Sequence, residues 1–132
     1  MALSSVTIIG AGIGGLTAAL SLQKKGIPVR IYEQASKIAE VGAGLHLSPN
    51  AIHIICELDL RPALEPYDFR PASLKTLHYK TGVPSFELPL DEKFEKEFGT
   101  PFIDIHRADL HAALSNAVLA NDPPQKTTDL NC

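Results

Sequence analysis

Tryptophan is absent from this chain, and cysteine (2), methionine (1) and aromatic residues (6%) are scarce. Two cysteines, Cys56 and Cys132, are too few for a disulfide framework, which excludes the small stapled secreted scaffolds and points to a reducing, cytoplasmic setting. A basic excess is also missing. Net charge is −3, so the composition offers no nucleic-acid-binding surface. No apolar run is long enough to span a bilayer. The apolar N-terminus lacks the basic flank of a signal peptide, and five glycines fall between Gly10 and Gly26, so it reads as strand, turn and helix rather than as a targeting segment. What remains is an ordinary globular balance, 45% hydrophobic and 20% charged, in 132 residues, enough for one domain.

The densest signal lies at the start. Val6, Ile8 and Ile9 read as a short buried strand, and Gly10-x-Gly12-x-x-Gly15 follows at once. Leu16 to Lys25 reads as a helix, stopped by Gly26 and Pro28, and Val29 to Tyr32 as a second strand ending at Glu33. This is the dinucleotide-binding βαβ fingerprint in full context. Gly10 permits a tight turn, Gly12 leaves room for a pyrophosphate against the backbone, and Gly15 allows the helix to approach the strands. The helix N-terminus offers N–H groups and partial positive charge to phosphates. Glu33 stands where a carboxylate accepts hydrogen bonds from ribose hydroxyls; the bland alternative is a solvated strand-end acid. On the helix, Leu16, Ala19 and Leu20 share one face with Gln23 at its end.

Farther on, Gln34 to Ile38 reads as a loop. The segment Glu40-Val41-Gly42-Ala43-Gly44-Leu45-His46-Leu47 has small residues that would let backbone lie close to a ligand, or it is a plain turn or bulged strand. Ser48 as N-cap and Pro49 at the first helical position open a helix with Ala51, Ile52, Ile55 and Leu58 on its apolar face, and Cys56 beside it reads as a buried thiol. Leu74 to Tyr79 and Phe86 to Leu90 suggest a hairpin around Lys80-Thr81-Gly82, held to an edge by Pro84 and Pro89. Asp91 to Glu97 is a short surface helix or a loop, and Phe102 to Ile105 a brief strand. Arg107 to Ala120 carries Leu110, Ala113, Leu114, Ala117 and Val118 on one helical face. Asn121-Asp122-Pro123-Pro124 halts that helix, and residues 121–132 read as a polar tail. Histidines 46, 53, 78, 106 and 111 lack the spacing of a metal site and read as surface or loop residues, and no catalytic residue stands out.

Three segments together carry a family resemblance: Val6 to Glu33, Glu40 to Asn50 as "EVGAGLHLSPN", and Ile105 to Leu114 as "IHRADLHAAL". In this order the chain resembles the N-terminal part of the salicylate hydroxylase-like FAD monooxygenases, the flavoprotein aromatic hydroxylases. The resemblance implies an α/β fold: a Rossmann-like FAD-binding βαβ unit with parallel strands and a small β-hairpin excursion, with residues 1–120 forming the N-terminal part of an incomplete FAD-binding domain. It implies that Gly10, Gly12 and Gly15 cradle the FAD pyrophosphate, with Ile13 and Gly14 lending backbone N–H groups. It assigns Glu33 to the adenosine ribose, Ala43 and Gly44 to the flavin-side half, and Arg107 to a cofactor contact. An arginine fork suits phosphate or carbonyl oxygens, although a salt bridge is its bland alternative. In such enzymes NAD(P)H reduces the flavin, and oxygen is then used to hydroxylate a small phenolic or salicylate-like ring.

Family members are normally much longer, and the later motifs that serve FAD and NAD(P)H have no counterpart here. A truncated, inactive chain is therefore expected, with an uncovered sheet edge, exposed apolar helix faces and marginal stability. Two other readings stay open: the nucleotide-binding domain of an NAD-dependent dehydrogenase, and a non-enzymatic remnant. The aromatic substrate, the choice between NADH and NADPH, and the oligomeric state are not legible.

Overall fold

The computed structural model describes residues 5–35 and 43–121. The Glu40–Gly42 part of the second glycine segment and the tail beyond Asn121, Cys132 included, lie outside the described residues.

Strand β1 (Val6–Ile9) runs into helix α1 (Ile13–Lys24), which returns to strand β2 (Val29–Tyr32). The two strands are parallel neighbours, with Val6 opposite Val29 and Ile8 opposite Ile31. Alternation decides the buried face. Val29 and Ile31 point into the core, whereas Arg30 and Tyr32 are exposed. Helix α1 begins three residues earlier than its apolar pattern implies. Gly14 and Gly15 mask the first turn, because glycine is a poor helix former, yet Gly12 in an extended conformation serves as N-cap.

Helix α5 (Arg107–Ala120) has the boundaries its periodicity sets. It packs along α1, so that Leu16, Ala19 and Leu20 meet a stripe of Leu110, Leu114 and Val118, each at most 2% exposed. The Gln23 side chain ends this contact by donating to the Val118 carbonyl (3.2 Å). The apolar faces of α1 and α5 are therefore not left bare, contrary to expectation: each covers the other. On the other face of the parallel pair the cross-strand partners Ile9 (80% exposed) and Tyr32 (42%) are open to solvent.

The middle of the chain supplies two antiparallel pairs. Strand β3 (Gly44–Leu47) pairs with β6 (Ile103–His106), which feeds directly into α5. Strands β4 (Ser73–Leu77) and β5 (Pro84–Pro89) form the hairpin, with an irregular register at Thr76/Leu77. Helix α2 (Pro49–Glu57) starts at its proline as read. Ser48 adopts the capping conformation, but its hydroxyl donates to Asn50 Oδ1 instead of accepting a backbone N–H. Residues 61–67 carry no apolar periodicity and still form a short helix, α3 (Arg61–Leu64), and a 3-10 turn. Here proline sits in each first turn, and Leu64 is buried. A paired Arg61–Asp68 fork holds this corner, and the carboxylate raises the arginine's already high pKa. Helix α4 (Glu92–Phe98) is capped by Asp91, which accepts from the N–H groups of Lys93 and Phe94 (both 3.1 Å). Among the described residues no helix is long and apolar enough to cross a membrane.

Candidate functional site

The parallel pairing places the first functional group. Gly10 N–H donates to the Tyr32 carbonyl (2.7 Å), one step past the end of the β1–β2 ladder. This brings the residue after Tyr32 beside the glycine turn. The Glu33 carboxylate accordingly accepts from Ala11 N–H through Oε2 (2.7 Å) and from Ala35 N–H through Oε1 (2.9 Å). These backbone donors hold its pKa below the ordinary 4.5, with Ala11 contributing most. It is thus a fixed anion at the rim of the turn rather than a freely solvated acid.

The turn itself is open where the fingerprint needs it to be. A β-carbon at Gly12 or Gly14 would meet nothing within 4 Å. Gly10 has φ +99°, a conformation that L side chains rarely adopt. Gly15 is different, for its missing side chain is replaced by the Gly10 carbonyl. The first intrahelical bond of α1 runs from Leu16 N–H to Gly12 O (2.9 Å). The N–H groups of Ile13, Gly14 and Gly15 therefore precede the helical ladder, at the positive end of the helix dipole.

A second group forms at the join of β3, β6 and α5. Arg107 N–H donates to the Ala43 carbonyl (2.9 Å), and Gly44 pairs with His106. Ala43, Gly44 and Arg107 are thereby neighbours, although 64 residues separate the first from the last. Arg107 and His111 are four apart on α5 and share a face. His111 is buried (5% exposed), and its Nε2 lies 2.6 Å from the Ala11 carbonyl. Helix α5 thus ties the Ala43–Gly44–Arg107 group to the glycine turn.

Two side chains depart from their sequence readings. His111 is neither a surface nor a loop residue. Its polar ring sits in the α1–α5 interior because a backbone carbonyl is there to accept its N–H. Nothing in its sequence context sets it apart from other polar residues on an amphipathic helix. Cys56 is exposed, because only Ile52 and Ile55 of α2 fall on the buried strip. Among the described residues no three His, Cys, Asp or Glu side chains gather as metal ligands.

Residues 8–46 match the family model of a NAD(P)-binding Rossmann-like domain. The chain is 36% identical to 3-amino-4-hydroxybenzoate 2-monooxygenase of Streptomyces cremeus over 116 residues, which is 88% of this chain and 29% of that protein. Its fold resembles the tetrameric form of 2-methyl-3-hydroxypyridine-5-carboxylic acid oxygenase, with a TM-score of 0.74 and 25% identity, covering 92% of this chain and 30% of that one. It also resembles HpxO of Klebsiella pneumoniae, solved with FAD and uric acid, with a TM-score of 0.71 and 24% identity over 85% of this chain and 28% of that one. The chain therefore spans less than a third of the proteins it matches. In sequence and fold it corresponds to the N-terminal Rossmann portion of the FAD-dependent aromatic hydroxylases.

Proposed function

We propose that residues 1–120 form the FAD-binding portion of a cytoplasmic, NAD(P)H-dependent monooxygenase that hydroxylates small aromatic compounds. The observation that carries this reading is the open glycine turn ahead of α1, with a fixed carboxylate at its rim. The residues present fit a dinucleotide: the positions a side chain would occupy at Gly12 and Gly14 are empty, and unladdered N–H groups stand behind them. Gly10, Gly12 and Gly15 shape the pyrophosphate cradle, Ile13 and Gly14 supply N–H donors, and Glu33 accepts from the ribose of the adenosine half. Ala43, Gly44 and Arg107 stand toward the flavin half. Bound there, the flavin would supply the electron transfer and oxygen chemistry, while the protein positions and shields it. Relatives that act on an aminohydroxybenzoate and a hydroxypyridine carboxylate support a small aromatic acid as substrate.

The description of the matching family model favours a second reading, a NAD(P)-binding domain. Titration of the chain with FAD and with NADH separates the two. The proposed function requires quenching of flavin fluorescence, relieved by ADP. Retention of NADH with no effect on FAD would reverse it.

A further inference from the structure

We propose that His111 is a positioning residue for the diphosphate cradle: by holding the Ala11 carbonyl it aims the Gly12 N–H at the ligand. The inference rests on the dinucleotide reading of the turn. A carbonyl oxygen only accepts, so His111 Nε2 must carry the proton in the 2.6 Å contact. The Ala11–Gly12 peptide is trans, and in a planar trans unit the N–H points opposite to the C=O. Anchoring the Ala11 oxygen toward α5 therefore directs the Gly12 N–H away from α5.

The preceding peptide is held in the same manner from the other side. Ala11 N–H is fixed by Glu33 Oε2, which turns the Gly10 carbonyl the opposite way, to the place where it lies against Gly15. Two consecutive peptide planes are thus fixed by side chains from two elements, the end of β2 and the first turns of α5. The Ala11–Gly12 unit ends on a glycine, whose backbone rotates at little cost. A flip would present the Ala11 oxygen, a partial negative charge, to an anionic ligand. His111 opposes that flip, so the cradle is organised before the ligand arrives. It also places the cradle and Arg107 under the control of one helix.

The test compares ADP, which carries the diphosphate, with adenosine, which lacks it. In His111→Leu the affinity for ADP falls about tenfold while that for adenosine is retained, as for loss of one well-aimed donor to an anion. In His111→Gln, which keeps an N–H donor, most of the ADP affinity returns. An unchanged ADP affinity in folded His111→Leu, an equal loss for both ligands, or no recovery in His111→Gln overturns the inference. Should His111→Leu not fold, nitrogen-15 NMR of the unmodified chain decides. A proton on Nε2 and a Gly12 amide resonance shifted by ADP uphold it; a bare Nε2 or an unmoved Gly12 amide overturns it. Failure of the unmodified chain to bind ADP at all is a separate result, and refutes the dinucleotide reading itself.

Discussion

The Gly10 carbonyl oxygen lies where the side chain of residue 15 would be: a β-carbon built on Gly15 would sit 2.1 Å from it, and Ile8 would also be in contact at 3.4 Å. The obstacle is backbone, which cannot swing aside as a long side chain can. The third glycine of the motif is therefore a packing requirement of β1 against α1. Gly15→Ala should destabilise the chain by about 1–3 kcal/mol, as overpacking of a close contact does. A denaturation midpoint equal to that of the unmodified chain would contradict this geometry.

Gly12 shows the opposite behaviour, because space in front of it is open and its φ of −72° suits any residue. Gly12→Val should leave stability within about 1 kcal/mol, the usual range for changing a helix cap. It should abolish FAD binding, since its methyl groups would occupy the approach to the backbone. Circular dichroism and flavin fluorescence titration on one sample separate the two effects. Unchanged affinity would remove the cradle from this turn. Gly12 and Gly15, alike in the motif, thus answer to a ligand and to the fold respectively.

Much of this architecture is local, and local physics is legible in sequence. The β1–turn–α1–β2 order follows from apolar runs punctuated by glycine, and α5 follows from its 3.6-residue period. The pairing of β3 with β6 does not. The two strands are more than fifty residues apart with no connecting turn chemistry, so register is set by packing that only the assembled chain possesses. The site divides in the same way. Glu33 follows from its place at the end of β2, whereas His111 resembles any polar residue on an amphipathic helix until the Ala11 carbonyl appears beside it. Cys56 illustrates the converse: periodicity assigns a face, but the width of the covered strip depends on neighbours, and α2 is covered only narrowly.

Leu114 is fully buried where α5 meets α1. Truncation there should cost about 2–5 kcal/mol, since the two rigid helices cannot collapse fully into the space left. Leu119 on the same helix is 48% exposed, and Leu119→Ala should change stability by no more than about 0.5 kcal/mol. Urea titration of both variants provides the check. Equal effects would show that α5 does not lie on α1 as described.

Glu33 makes stability depend on pH with a definite sign. Its carboxylate pKa is lowered in the folded chain, chiefly by the Ala11 N–H and next by that of Ala35. In the interval between the folded value and the ordinary 4.5, the unfolded chain binds more protons, so stability rises with pH there. The contribution is complete above 4.5 and is lost as pH falls through the folded value. Glu33→Gln keeps an acceptor for one N–H but has no charge to titrate. The difference in urea midpoint between the unmodified chain and Glu33→Gln should therefore be constant at neutral pH and shrink below 4.5. A difference that stays flat down to pH 2, or grows on acidification, would show that the carboxylate does not hold the turn. At neutral pH the same substitution should weaken ADP about tenfold or more, as expected when hydroxyl donors lose a charged acceptor.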